Sequence, residues 1–254
     1  MVFNIFDKAI PTETLSHGDP EIHQYLNYNP SHVNYTSSDI QLSLGRDPSE
    51  TDRGGWRGYF RVYSKYFSAL KNKPIKILEV GTHFGWGLLA WARYFPNAEV
   101  YGVDNVVRET RLNNINRIRK NWPEFSKVTT EYFDSTKSED WSCFEEKQFD
   151  VIIDDGGHHP DTQIQTLENG FKLLKPGGLY FIEDISHRYS EDSLKKLDDK
   201  LSELKPHVQS MKVYSHVNNG LYVRLIDKRL RENSMDIHPD ANNDATEYIV
   251  AIVK

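Results

Sequence analysis

The chain has 254 residues, with 31 Lys+Arg against 37 Asp+Glu and a formal net charge of −6. That length supports a hydrophobic core without metal or disulfide staples, and the acidic balance lacks the basic footprint of a general nucleic-acid binder. Cys143 is the single cysteine, which excludes an internal disulfide and fits a reducing compartment. No basic-then-apolar leader and no bilayer-length apolar run occur, so a cytoplasmic protein without membrane partners is expected.

Residues 1–55 read as an N-terminal extension of short elements and loops, rich in Asn, Ser, Pro, His and Tyr. From Trp56 to Leu70, Tyr59, Val62, Tyr63, Tyr66, Phe67 and Leu70 recur at helical spacing and predict an amphipathic lead-in helix. A core then follows over 75–217. Ile75–Val80 reads as a strand ending at Gly81, and Gly85–Phe95 as a helix. Glu99–Val103 reads as a strand closed by Asp104, and about 107–120 as a helix.

Val128–Phe133 predicts a third strand ending at Asp134, and Phe149–Ile153 a buried fourth strand ending in Asp154-Asp155. Pro160 opens a helix with Ile164, Leu167, Phe171 and Leu174 on one face, which Lys175-Pro176-Gly177-Gly178 is expected to end. Leu179–Ile182 is a fifth strand ending in Glu183-Asp184. A leucine-striped helix (Leu194 to Leu204) and two β-prone segments, Met211–Val217 and Tyr248–Val253, close the chain. Residues 218–243 read as a polar excursion.

Strands alternating with helices predict an α/β fold: a doubly wound, Rossmann-like sheet, mostly parallel with the last strand antiparallel, and helices on both faces. The whole of 56–254 is expected to form one domain, ending in a C-terminal strand at 246–254.

The first strand-to-helix junction reads Glu79-Val80-Gly81-Thr82-His83-Phe84-Gly85-Trp86-Gly87. Glycines there permit a tight turn and close ligand approach, at the carboxyl edge where such sheets bind ligands. Asp104, ending the second strand, can accept hydrogen bonds from both hydroxyls of a ribose. A dinucleotide loop needs G-x-G-x-x-G, and this loop is Gly-x-x-x-Gly-x-Gly. The spacing therefore points to S-adenosylmethionine.

Asp155 ends the fourth predicted strand and Glu183-Asp184 the fifth, so the three carboxylates converge if those strands are neighbours. Like charges brought together need a cation or raised pKa values, and oxygen-only ligands favour Mg²⁺. His158 lies on the loop after Asp155 and could take a proton from a substrate hydroxyl. His159 is its rival, with His83 and His187 weaker candidates. Asp154 has a second reading as the cap of the next helix.

Leu-Glu-Val-Gly-x-x-x-Gly, together with Lys-Pro-Gly-Gly before the fifth strand, resembles the class I S-adenosylmethionine-dependent methyltransferases. The resemblance implies that Glu79, Gly81 and Gly85 line the methionine end of the cofactor, with Thr82 also in the cofactor-binding set. It places Asp104 on the ribose and Asp134 by the adenine amino group, although a carboxylate there also reads as a turn residue.

Asp-Asp-Gly-Gly-His, then Leu-Lys-Pro-Gly-Gly-Leu-Tyr-Phe-Ile-Glu-Asp, then Thr51-Asp52-Arg53 before an aromatic helix and Tyr94–Ala98, is more specifically similar to the macrocin and mycinamicin sugar O-methyltransferases. That likeness implies Mg²⁺ on Asp155, Glu183 and Asp184, and His158 as general base. It adds Thr51 and Asp154 to the cofactor set, and implies a homo-oligomer acting on a small hydroxylated acceptor such as a sugar. Gly157 stands where the family usually has Ser, and Arg53 where Lys is usual.

Other readings stay open: a catechol-like diol acceptor, a non-catalytic S-adenosylmethionine-binding protein and, less favoured, RNA methylation. Arg108, Arg111, Arg117, Arg119 and Lys120 read as a solvated helix face. Trp56, Tyr59 and Tyr63 read as core packing or as a cover over the cofactor. Trp86 reads as pocket lining or helix packing.

Overall fold

The computed structural model describes residues 6–15, 59–106, 109–145, 148–186, 189–217 and 246–254. Thr51, Arg53, Trp56, Arg108, His187 and the 218–243 excursion lie outside the described residues. In chain order the main elements are β1 (Ile10–Pro11), α1 (Tyr59–Phe67), β2 (Lys76–Val80), α2 (Trp86–Tyr94), β3 (Glu99–Asp104) and α3 (Glu109–Asn121). There follow β4 (Val128–Tyr132), β5 (Phe149–Asp154), α4 (Pro160–Gly170), β6 (Leu174–Ser186), α5 (Glu191–Leu204), β7 (Ser210–Val217) and β8 (Thr246–Val253). They fall into two compact units, Leu15–Asp134 and Met1–Thr14 with Ser135–Lys254.

In the Leu15–Asp134 unit, β2 pairs in parallel with β3, and β3 with β4. Helix α2 is apolar almost all round and correspondingly buried. It closes on β3 at Gly102, where a Cβ would stand 2.5 Å from Leu88 Cδ1 and 2.7 Å from Thr82 Cγ2. Helix α1 supplies Tyr63 and Phe67 to an aromatic cluster with Trp91 and Phe95, at ring separations of 5.0–5.6 Å. Such pairs contribute about 0.5–1.5 kcal/mol each beyond burial. Tyr59 and Tyr63 are fully buried, which decides for packing over a cofactor cover.

In the other unit the strand order is β1-β7-β8-β6-β5. β5 and β6 are parallel, as are β1 and β7, while β8 runs antiparallel to both β6 and β7. The expected reversal of the last strand is therefore present. Ser190 caps α5 by accepting the Ser193 N–H at 3.3 Å, and Leu194, Leu197 and Leu201 form its buried stripe. Lys196–Asp161, at 3.2 Å, and Lys200–Glu168 tie α5 to α4.

Two expected boundaries are corrected. Helix α4 ends at Gly170, before Leu174, and Lys175-Pro176-Gly177-Gly178 lies inside β6. The pairing with β5 skips from Leu174 to Leu179 while β5 advances only from Phe149 to Val151, so these breakers form a bulge rather than a helix stop. Gly177 takes a φ of +76° there, and its N–H donates to the Lys254 carbonyl at 2.8 Å.

Likewise, β6 does not end before Glu183-Asp184 but continues through them to Ser186. Three steps of β6, Ile182 to Ile185, face two of β8, Val250 to Tyr248. That inserts one extra residue into the strand. Asp184 takes up the irregularity with φ +56°, a left-handed conformation that Asp tolerates better than most residues.

Candidate active site

The glycine loop of the Leu15–Asp134 unit turns twice through left-handed backbone, at Gly81 (φ +83°) and Gly85 (φ +85°), and His83 between them has φ +44°. A non-glycine residue in that region is held there by its surroundings. Here the Gly81 N–H donates to the Val103 carbonyl (2.8 Å), the Gly85 N–H to Thr82 O (2.7 Å), and Asn114 Nδ2 to Phe84 O (2.7 Å).

Asp104 is the hub. Its Oδ2 accepts the His83 N–H at 2.8 Å, and its Oδ1 accepts the Val106 N–H at 2.8 Å. Arg111 Nε lies 3.6 Å from Oδ2, and Arg111 Nη2 donates to Thr82 Oγ1 at 2.8 Å. Arg111 is only 6% exposed, so its reading as part of a solvated face is corrected. Burial lowers its pKa and the Asp104 charge opposes that. The missed signal was its spacing: Arg111, Asn114, Ile115 and Ile118 form the buried stripe of α3.

Glu79 is buried on β2, where Trp91 Nε1 donates to its Oε2. Trp86 packs edge-on against Trp122 at 5.5 Å, which favours helix packing over pocket lining. Asp134 follows β4 and is half-buried.

The second site lies where β5 ends. Asp155, His158 and Asp184 each offer a ligand atom, and these atoms all lie within 4.8 Å of one another. His158 Nε2 is 3.7 Å from Asp184 Oδ2. The bulge in β6 positions Asp184 for this, whereas Glu183 beside it is buried and is not part of that gathering.

The loop itself is braced by Thr162, whose Oγ1 lies within hydrogen-bond distance of the carbonyls of Gly157 (2.6 Å) and His159 (2.7 Å), one on each side of His158, its single proton serving one or shared between both. A Cβ on Gly157 would meet that oxygen at 2.6 Å, so a side chain at this position requires Thr162 to shift. His159, the rival base, instead caps α4 by accepting the Asp161 N–H through Nδ1 (3.3 Å) and packs on Tyr189.

Asp154 does not cap α4. Its Oδ1 accepts the Gly156 N–H at 3.2 Å, and its Oδ2 has no hydrogen-bond partner among the described residues. Burial pushes its carboxyl well above the usual range; the Gly156 N–H opposes that, and the charges of Asp155 and Glu183 add to it. Gln163 donates through Nε2 to the Glu183 carbonyl at 2.9 Å, while its Oε1 is a second buried acceptor without a donor among the described residues.

Residues 78–185 match a family model described as a methyltransferase domain. The chain is 31% identical over 154 residues to L-olivosyl-oleandolide 3-O-methyltransferase of Streptomyces antibioticus, covering 55% of this chain and 36% of that protein. It is 27% identical over 150 residues to 8-demethyl-8-(2-methoxy-alpha-L-rhamnosyl)-tetracenomycin-C 3'-O-methyltransferase of Streptomyces olivaceus, covering 54% and 34%. The chain thus spans about a third of the length of these curated relatives.

Among solved structures, the methyltransferase MycE of the mycinamycin biosynthetic pathway, in complex with Mg and SAH, aligns with a TM-score of 0.50 at 18% identity, over 86% of this chain and 54% of that one. That likeness bears out the expected Rossmann-like methyltransferase fold. No helix among the described residues is long and apolar enough to cross a membrane.

Proposed function

We propose that this chain is an S-adenosylmethionine-dependent, Mg²⁺-dependent O-methyltransferase acting on a hydroxyl of a sugar or glycosylated small molecule. The observation that carries the reading is the gathering of Asp155, His158 and Asp184 within 4.8 Å, in a chain whose residues 78–185 match a methyltransferase domain. The two curated relatives, by their names, methylate olivosyl and rhamnosyl compounds, which is the basis for a sugar acceptor.

The donor set fits Mg²⁺. A hard cation takes carboxylate oxygens and leaves the imidazole uncoordinated. Asp155 and Asp184 would hold it; Glu183, expected with them from the sequence, stands outside the gathering. The loop also fits the cofactor. A carboxylate has about four acceptor sites. Val106 and His83 each use one on Asp104, and Arg111 faces Oδ2, so Oδ1 keeps room for a ribose hydroxyl. Gly81, Gly85 and Asp134, with Glu79, Thr82, Asp154 and Thr51, remain the wider cofactor set of this reading.

When bound, the cofactor supplies an activated methyl group on sulfur and Mg²⁺ supplies Lewis acidity toward the acceptor hydroxyl. His158 accepts the hydroxyl proton on its imidazole, and the Asp184 carboxylate at 3.7 Å stabilises the resulting cation. Thr162 fixes the backbone on both sides of that base, so little reorientation is left for the reaction. The reading takes 56–254 as the methyltransferase domain of a cytoplasmic homo-oligomer.

The test is methyl transfer from labelled S-adenosylmethionine to a panel of rhamnosides, olivosides and catechols, with Mg²⁺ and with excess chelator. Transfer to a deoxysugar that chelator abolishes is expected. Transfer to catechols alone would replace the sugar by an aromatic diol, and full activity in chelator would remove the metal from the mechanism.

A further inference from the structure

Arg111 stands out from the rest of the basic stretch of α3. It is buried, and it touches two parts of the same loop system at once: Nη2 donates to Thr82 Oγ1 at 2.8 Å, and Nε lies 3.6 Å from Asp104 Oδ2. Asn114, three residues on, holds Phe84 O, and Ile115 Cγ1 would lie 3.3 Å from a Cβ on Gly85, so one face of α3 carries the whole loop.

We propose that Arg111 is the positioning residue of the cofactor site. It locks the Asp104 carboxylate and the Gly81–Gly85 loop into their binding arrangement before the ligand arrives. The inference rests on the reading that Asp104 faces the cofactor's ribose.

Three consequences of the geometry support it. Asp104 is 9% exposed, and a buried carboxylate needs polar partners. Arg111 stands beside it on the Oδ2 side, 3.6 Å away through Nε. The same cation engages the Thr82 hydroxyl, so the carboxylate and the loop cannot move independently. Finally, Arg111 and the His83 N–H both face Oδ2, which leaves Oδ1, bonded among the described residues only to Val106, as the oxygen open to a ligand hydroxyl. A preset acceptor binds a diol without first paying to order itself.

The experiment is isothermal calorimetry of the full chain with S-adenosylhomocysteine and with adenosine, alongside thermal melts, for wild type, Arg111→Met, Arg111→Lys and Thr82→Val. Arg111→Met keeps the apolar stem and removes the cation. It is expected to weaken both ligands by about tenfold or more, the scale of a lost charge-assisted contact. Arg111→Lys restores the cation beside Asp104 and is expected to recover part of the affinity. Thr82→Val removes the hydroxyl that Arg111 Nη2 engages and is expected to lie between wild type and Arg111→Met, which keeps the test intact should Arg111→Met not fold.

Wild-type affinity in Arg111→Met or, if that variant does not fold, in Thr82→Val, would overturn the proposal while leaving the cofactor reading standing. A lowered melting temperature with unchanged affinity would likewise overturn it, showing a merely structural residue. Wild-type protein that binds neither ligand would overturn the cofactor reading and this proposal together.

Discussion

The two sites are built on opposite principles. In the Leu15–Asp134 unit the glycine loop is closed upon itself: Asp104, Thr82, His83, Phe84 and Gly85 each have a partner within hydrogen-bond distance, and the one buried carboxylate at its hub faces a buried guanidinium. In the Ser135–Lys254 unit, carboxylates crowd the end of β5 and the bulge of β6. There Asp154 Oδ2, Gln163 Oε1 and the Tyr180 hydroxyl are buried without hydrogen-bond partners among the described residues. Burial, and then the charge of Asp154, push the Tyr180 phenol well above its usual range. The first site has its loop and carboxylate already bonded, although Arg111 Nε is itself buried without a hydrogen-bond partner among the described residues. The second is electrostatically incomplete, as expected of a site that gathers like charges for a cation.

The largest effect should come from breaking the second site. Asp155→Ala or Asp184→Ala should lower methyl transfer by about 10³-fold or more, because a bound divalent cation stabilises the transition state by several kcal/mol. Calorimetry should show Mg²⁺ binding lost and S-adenosylhomocysteine binding kept. Retained Mg²⁺ binding in both variants would dissolve the contrast between the sites.

His158→Ala should cost about 10²–10⁴-fold, the range of general-base catalysis. Its Mg²⁺ affinity should match wild type; a large loss would make the imidazole a ligand rather than a base.

A smaller effect concerns how the loop of the second site is braced. Gly157→Ser places a Cβ 2.6 Å from Thr162 Oγ1, and such crowding typically costs about 1–3 kcal/mol. Adding Thr162→Ala should recover most of that loss in a denaturation cycle. Additive costs would mean that the two residues do not meet.

The smallest effect lies in the packed unit. The Tyr101 phenol is raised to about 12 by burial, with its hydrogen bond to Glu99 and that residue's charge adding. Its neutral form is the one the fold favours. Its contribution to stability is therefore complete below pH 10, the ordinary tyrosine value, and is lost as pH climbs toward 12. In an absorbance titration Tyr101→Phe should remove ionisation from the latest part of the curve, and Glu99→Gln should move it earlier.

Much of the first site was legible in the chain. Gly81 and Gly85 announced a turn because only glycine adopts left-handed backbone without cost, and Asp104 announced itself by closing a strand. Arg111 did not, because a basic residue in a charged helix looks solvated until its position on the stripe is set against what that stripe covers. In the second site, Asp155 and His158 could be placed from the strand end and the loop. The role of His159 as a cap, the brace from Thr162 and the bulge at Asp184 depend on backbone geometry that no local pattern encodes.

The opening composition thus determined a good deal: a chain able to form a core, no internal disulfide, and an acidic balance concentrated at predicted strand ends. Hydrophobic periodicity, a property of neighbouring residues, was sufficient for the alternation of strands and helices and for the carboxyl-edge placement of the acids. Tertiary structure alone decided that β6 runs on past Ile182, that its bulge re-aims Asp184 toward His158, and that a buried guanidinium serves Asp104. Those outcomes arise from pairing register and burial, which join residues far apart in the chain and are settled only when the strands and helices pack.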